Sequence, residues 1–267
     1  MSGPSPVDPR RDAVRRNLAG LREGLSATAA AAGRAAPTLV AVTKAVDDEV
    51  ARMVLDAGCR DLGENRADAF CRRAKLFASE GLTPRWHYIG HLQRNKVRRV
   101  LEQAHVLHSV DSPRLAEAVV RITEELGRPL DVFVQVNLTG EEEKHGFAAE
   151  QAADAVRMLA GSELIKVRGL MAMGPLREHR TPREVFQHAR ELARTLEREV
   201  GEAFAADRCE LSMGMSGDAP LAVELGSDLV RVGTALYRNV PEREESTRGV
   251  LAQDPATTDP VNGPQAD

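Results

Sequence analysis

The chain has 267 residues, 42% hydrophobic and 28% charged, a length and profile that fit a globular chain of one or two domains or a single barrel of about 250 residues. A formal charge of -4 and only 3% aromatic residues exclude a global pull toward nucleic acid or anionic membrane and a base-stacking surface. Residues 1–9 are Pro- and Ser-rich and are expected to be disordered, and a helix is expected over 10–33. "TLVAVTK" (38–44) predicts the first strand. "DDEVARMVLDAG" predicts a helix capped by Asp47 or Asp48, with Val50, Met53, Val54 and Ala57 on one face and Gly58 as its stop. "RDLGEN" (60–65) and "RWHYIGHL" (85–92) predict strands two and three, and "QRNKVRR" (93–99) reads as a solvated basic helix face. "VLHSVDS" (106–112) is the fourth strand. "DSPRLAEAVVRITEELG" follows as a helix with Ser112 as cap, Pro113 in the first turn and a stripe of Leu115, Val119, Ile122 and Leu126.

"VFVQVNL" (132–138) is the fifth strand, followed by the charged loop "EEEKHGF" (141–147), in which Lys144 reads as solvent-exposed. "KVRGLMAM" (166–173), the helix "REVFQHARELARTLEREVG", "RCELSMGM" (208–215) and "LVRVGTA" (229–235) complete the alternation. Residues 241–267 are polar with few apolar anchors and are expected to be a disordered tail. Eight strands separated by helices make an α/β chain that most simply closes into a (β/α)8 TIM barrel over 10–240, carrying an extra N-terminal helix; an open doubly wound sheet is the alternative. Cys59, Cys71 and Cys209 match neither a disulfide framework nor a metal pattern, and "MSGPSPVDPRR" has no apolar targeting core. No segment reaches the length of a membrane span, so a cytoplasmic protein is expected.

In such a barrel chemistry sits where strands run into loops at the C-terminal face. Those ends carry a lysine, hydroxyls, glycines and one arginine, with no cluster of carboxylates. "SMGMSGD" and "RVGTALYR" close strands seven and eight, where Gly214, Gly217 and Gly233 admit close backbone approach and Ser216 and Thr234 offer hydroxyls. The loops after strands seven and eight, with a helix N-terminus, form the recurrent phosphate cradle of this fold. Opposite them Lys44 ends an apolar strand, where desolvation is expected to lower its pKa and make it a Schiff-base nucleophile. An aldehyde carrying a phosphate satisfies both halves, and pyridoxal 5'-phosphate is the candidate.

The motifs "LVAVTK", "LGEN", "WHYIGHLQRNK", "HSVDS", "VNLTGEEEKHGF", "GLMAMGP", "SMGMSGD" and "GSDLVRVGTALYR", over roughly residues 10–238, resemble the single-domain pyridoxal-phosphate homeostasis proteins, barrel relatives of the alanine racemase N-terminal domain. That resemblance implies Lys44 as the Schiff-base lysine, Ser216, Gly233 and Thr234 as phosphate contacts, Arg231 as partner of the pyridine nitrogen and Asn65 beside the ring. Arg66 and Arg238 stand where many members carry an aromatic or a small residue, and Val46 and Asp47 replace a common lysine and proline.

Each of these residues also has a plainer reading. Lys44 also reads as a snorkelling lysine paired with Asp61 or Glu64, and Arg231 as a buried ion pair with Glu224 or Asp228. His87 and His91 suggest a metal pair, but no carboxylate stands at helical spacing, so pocket lining is expected instead. Met171, Met173, Met213 and Met215 read as barrel filling. The function implied is binding, buffering or delivery of the cofactor, with apoenzymes that need it as recipients and little amino-acid turnover. The alternative is an amino-acid racemase, which needs a base on each face of the substrate; the racemases draw one from a second domain that this sequence does not show.

Overall fold

The computed structural model describes residues 8–141, 145–175 and 180–241. Lys144, most of the expected N-terminal disorder and all but Pro241 of the expected tail lie outside them. Helix α1 (Pro9–Ala31) precedes strand β1 (Thr38–Val42), and seven βα units follow: α2 (Asp48–Asp56), β2 (Asp61–Glu64), α3 (Ala67–Ser79), β3 (Arg85–Tyr88), α4 (Val97–Leu101), β4 (Val106–Val110), α5 (Pro113–Leu126), β5 (Leu130–Gln135), α6 (Ala152–Ala160), β6 (Ile165–Met171), α7 (Pro182–Val200), β7 (Glu210–Ser212), α8 (Ala219–Glu224) and β8 (Leu229–Val232). Each strand pairs in parallel with the next, and β8 pairs back to β1, with Val40 opposite Arg231. The barrel is closed; the open sheet is excluded.

Among the described residues the chain past β8 makes only a turn, so no helix there covers the outer face of the β8–β1 seam. α1 supplies the cover. Its residues Val14, Leu18, Leu25 and Ala29 recur at helical spacing and are buried, and the helix packs between α8 and α2. Asn17 adds two amide hydrogen bonds, to the carbonyls of Leu236 and Arg238. Arg10 locks the other end, its guanidinium meeting Asp47 at 3.0 Å and Glu49 at 2.9 Å. Asp47 is the cap of α2, its Oδ1 accepting from the Val50 amide at 2.8 Å. Ser112 stands at the cap of α5 without using its hydroxyl for capping.

Strand ends fall short of the apolar windows at the mouth. β3 stops at Tyr88 because Gly90 lies against Asn65: a Cβ there would stand 2.1 Å from the Asn65 carbonyl oxygen. β7 stops at Ser212, and Gly214, at φ 92°, turns the chain against α8. The lumen holds Val40, Val106, Phe133, Met171 and Leu229, with Met173 against them. Of the expected filling methionines, Met213 faces the outer helices and Met215 is exposed at the mouth. Through the lumen also runs a polar file of His87, His108, Ser212 and Arg231, all buried.

The two barrel ends differ. At the N-terminal end a charged cavity of about 470 Å³ is rimmed by a continuous ion-pair chain: Arg85 to Asp131, Asp131 to Arg168, Arg168 to Glu210, Glu210 to Arg208, Arg208 to Asp228 and Asp228 to Arg34. Its charges satisfy one another. Among the described residues no helix is long and apolar enough to cross a membrane.

Candidate functional site

At the C-terminal end a cavity of about 350 Å³ is lined by Lys44, Asn65, Ser216, Arg231, Gly233 and Thr234, the six residues singled out from the sequence. Tyr237, Met173, Met215 and Ile89 are also part of its wall.

Lys44 does not end the strand. β1 stops at Val42, and Lys44 sits in the turn beyond it, exposed at the mouth, so the expected desolvation by an apolar strand is not its setting. Nor does it pair with the carboxylates considered for it: Asp61 receives His87, and Glu64 receives Arg73 and Thr43. Its position is held through the backbone. Buried Arg73, on α3, donates to the carbonyls of Thr43 at 2.7 Å and Val46 at 2.6 Å, and to Glu64 at 2.5 Å. Arg66 donates to the Lys44 carbonyl itself at 3.2 Å. Thr43 Oγ1 donates to Glu64 at 2.6 Å. Guanidinium groups thus clamp three carbonyls of the four-residue turn that presents the amine. Sequence reading missed Arg73 because "CRRAKL" looks like the outer face of a helix.

Arg231 is fully enclosed and makes no ion pair with Glu224 or Asp228, which are engaged by Arg183 and by Arg34 and Arg208. Its Nη1 donates to the carbonyl and hydroxyl of Ser212, both at 2.7 Å, and its Nη2 to the Ala172 carbonyl at 3.1 Å. Burial pulls its pKa down to about 10, with Asp218 opposing, so the guanidinium stays charged near neutrality. Three of its five N–H groups are used, and a buried cation with spare donors faces the cavity.

Across from it, Ser216 Oγ accepts the amides of Gly233 at 3.1 Å and Ala235 at 3.3 Å, tying the turn after β7 to the turn after β8. The helix N-terminus beside this cradle is that of α8, only six residues long, which starts at Ala219 just after the Ser216–Asp218 turn; no helix follows β8 among the described residues. Amides and hydroxyls of two turns remain. Two polar atoms on the cavity wall, Asn65 Oδ1 and Tyr237 Oη, are buried without a partner among the described residues. Burial raises the Tyr237 pKa strongly, keeping its phenol protonated.

His87 and His91 do not converge. His87 points into the lumen toward His108, whereas His91 sits at the mouth, its Nδ1 2.8 Å from Asp111 Oδ2. His145 joins them, with ligand atoms of the three residues within 4.8 Å, a carboxylate companion that sequence spacing concealed. The His91 and His145 rings stack 4.0 Å apart at 15°, so their in-plane lone pairs run side by side instead of meeting at one point. This arrangement is a stacked pair on the wall of an annexe to the main cavity.

The fold and site define a (β/α)8 barrel whose C-terminal mouth joins an exposed lysine, a two-turn amide and hydroxyl cradle and a buried arginine. The family model for the alanine racemase N-terminal domain matches residues 11–241. Within that group, the chain belongs to the pyridoxal phosphate homeostasis protein family. A protein of that name from Deinococcus radiodurans is 40% identical over 82% of this chain and 97% of its own, and one from Escherichia coli K12 is 33% identical over 84% and 95%. The structure of PipY from Synechococcus elongatus PCC7942 with PLP bound is 33% identical, covers 84% of this chain and 99% of that one, and has a TM-score of 0.73. An alanine racemase of Clostridium difficile, 18% identical with a TM-score of 0.66, shares the fold.

Proposed function

We propose that this protein binds pyridoxal 5'-phosphate at the C-terminal mouth and serves cofactor homeostasis, holding the molecule and releasing it to apoenzymes that require it. The observation that carries the reading is Arg231, a buried cation with unused donors and, among the described residues, no carboxylate partner, facing the same cavity as Lys44 and the Ser216–Gly233 turns. The names of its relatives and the ligand in PipY support it.

The residues present fit the group. When bound, pyridoxal 5'-phosphate supplies an aldehyde that an amine can take up reversibly. Lys44 is the amine at the mouth, and the clamp of Arg73 and Arg66 holds its turn in place. Ser216, Gly233 and Thr234 offer hydroxyls and amides to a phosphate. Phosphate entry would draw the Gly233 and Ala235 amides from the Ser216 hydroxyl to a stronger, charged acceptor. Arg231 would donate to the ring nitrogen and, with a pKa of about 10, keep its own proton. Asn65 and Tyr237 would offer the bound group their unpaired polar atoms from the same cavity wall.

The test is to load the full chain with the cofactor, reduce with borohydride and map the modified peptide. The adduct is expected on Lys44 and is expected to vanish in Lys44→Ala. A stable adduct on Lys96 or Lys166, or none, overturns the assignment.

A further inference from the structure

We infer that Ser212, His108, His87 and Asp61 form a polarised hydrogen-bond chain that positions Arg231 and ties the pocket at one barrel end to the charged cavity at the other. The contacts are continuous. Arg231 Nη1 lies 2.7 Å from Ser212 Oγ, which is 2.8 Å from His108 Nδ1; His108 Nε2 is 2.9 Å from His87 Nδ1, and His87 Nε2 is 2.9 Å from Asp61 Oδ1. His87 is 1% exposed, and His108 and Ser212 are 0% exposed. Only Asp61 meets solvent, in the N-terminal cavity.

The chemistry of the ends leaves one arrangement of protons. A guanidinium only donates, so Ser212 Oγ accepts from Arg231 and must spend its single hydrogen on His108 Nδ1. Neutral His108 then carries its proton on Nε2 and gives it to His87 Nδ1. His87 likewise carries its proton on Nε2 and gives it to the Asp61 carboxylate, which only accepts. Four donors point the same way, from the cation to the anion. Burial keeps both imidazoles neutral, since desolvation pushes each pKa down. His108 is also stacked on Phe133 at 4.8 Å, which fixes its ring.

A cation buried without a carboxylate contact is costly, and its attachment decides where its free donors point. The chain supplies that attachment by committing both Nη1 hydrogens to Ser212, while Ala172 takes one from Nη2. The remaining donors are left to the cavity. The negative charge of Asp61 reaches Arg231 through aligned hydrogen bonds inside a low-dielectric lumen, where such bonds strengthen one another. Ser212, His108, His87 and Asp61 are therefore positioning residues: none lines the mouth cavity, and each acts through the next. Nothing in the family match requires this file, which joins residues far apart in the chain, His108 and Ser212 being separated by 104 positions.

The inference rests on Arg231 facing the cofactor ring, and the experiment separates the two. In the cofactor-free full chain with 15N-labelled histidine, both His87 and His108 are expected to show protonated Nε2 and bare Nδ1. Either ring protonated on Nδ1, or cationic at pH 7, overturns the chain. In the loaded protein, Ser212→Ala and His108→Phe are expected to shift the visible band of the bound cofactor and weaken its retention about tenfold. Asp61→Asn, which keeps an oxygen acceptor and removes only charge, is expected to move the band in the same direction by less. Melting curves report any general loss of packing, which would not move the band of correctly folded protein. Arg231→Gln is the control for the underlying reading. A band shift with Arg231→Gln alone refutes the positioning chain and leaves the site intact. No shift with any of the variants refutes the placement of Arg231 and the inference built on it.

Discussion

Replacing Arg73 with methionine removes the clamp beneath Lys44, and its cost can be worked from the contacts. The substitution deletes bonds to the Thr43 and Val46 carbonyls and the 2.5 Å ion pair with Glu64. Glu64 is 1% exposed, and its Oε2 already has no partner, so its charge would be stranded in the barrel wall with only the Thr43 hydroxyl. Removing one partner of a buried pair costs about 3–5 kcal/mol. The bond to Asp48 adds less, because that carboxylate is partly exposed and keeps Arg72 as a partner. For a domain of this size that loss lowers Tm by about 6–20 °C. Urea unfolding and thermal melts measure it directly. Adding Glu64→Gln to Arg73→Met removes the stranded charge and keeps an acceptor for Thr43, so it should restore about 1–3 kcal/mol. Cofactor adduct formation at Lys44 should slow in the single variant even at temperatures where it stays folded. A loss under about 1 kcal/mol, or a double variant no better than the single, would refute the clamp.

Ser216→Ala should weaken retention of the phosphate-bearing ligand by about 10- to 150-fold, the value of one hydrogen bond to a charged group, measured by equilibrium dialysis. Gly90→Ala should displace Asn65, because its Cβ meets the Asn65 carbonyl at 2.1 Å, and a melt is expected to show clear destabilisation. Hydrogen bonds from Arg72, then Arg73, hold the Asp48 carboxyl at about 2, so its share of stability is present above about pH 4 and is lost as pH falls toward 2; Asp48→Asn should flatten an acid melting series in that window. Amino acids incubated with the loaded protein in heavy water should exchange their α-protons slowly, since Arg231 keeps its proton; fast, Lys44-dependent exchange would favour the racemase reading.

Much of this was legible from the chain alone. Short apolar runs between helical periods mark eight strands; their C-terminal ends point to Lys44, Ser216, Gly233 and Thr234, the family resemblance adds Asn65 and Arg231, and all six line one cavity. What escaped were contacts that depend on lateral geometry. Arg73 reads as a solvated helix face until the helix is laid against β2, and the carboxylate beside His91 comes from the next strand end. Lys44 was read as a strand residue because "TLVAVTK" is continuous, yet parallel pairing ends with Val42 opposite Gly63. Met213 and Met215 share a strand window, but the turn at Gly214 sends one to the helical shell and the other to solvent.

The cover of the β8–β1 seam has a consequence for how the protein is made. α1 leaves the ribosome before every strand, carrying Val14, Leu18, Leu25 and Ala29, while α8 and the turn beyond β8 emerge after the other seven strands. The amide of Asn17 waits for a carbonyl 219 residues downstream. Closure of so long a loop is slow, so α1 can settle against α2 early while its side toward α8 stays uncovered until the last βα unit is made. The barrel cannot seal until β1 and α1 meet β8 and α8, so the seam between the two ends of the fold is the last part of the wall to close.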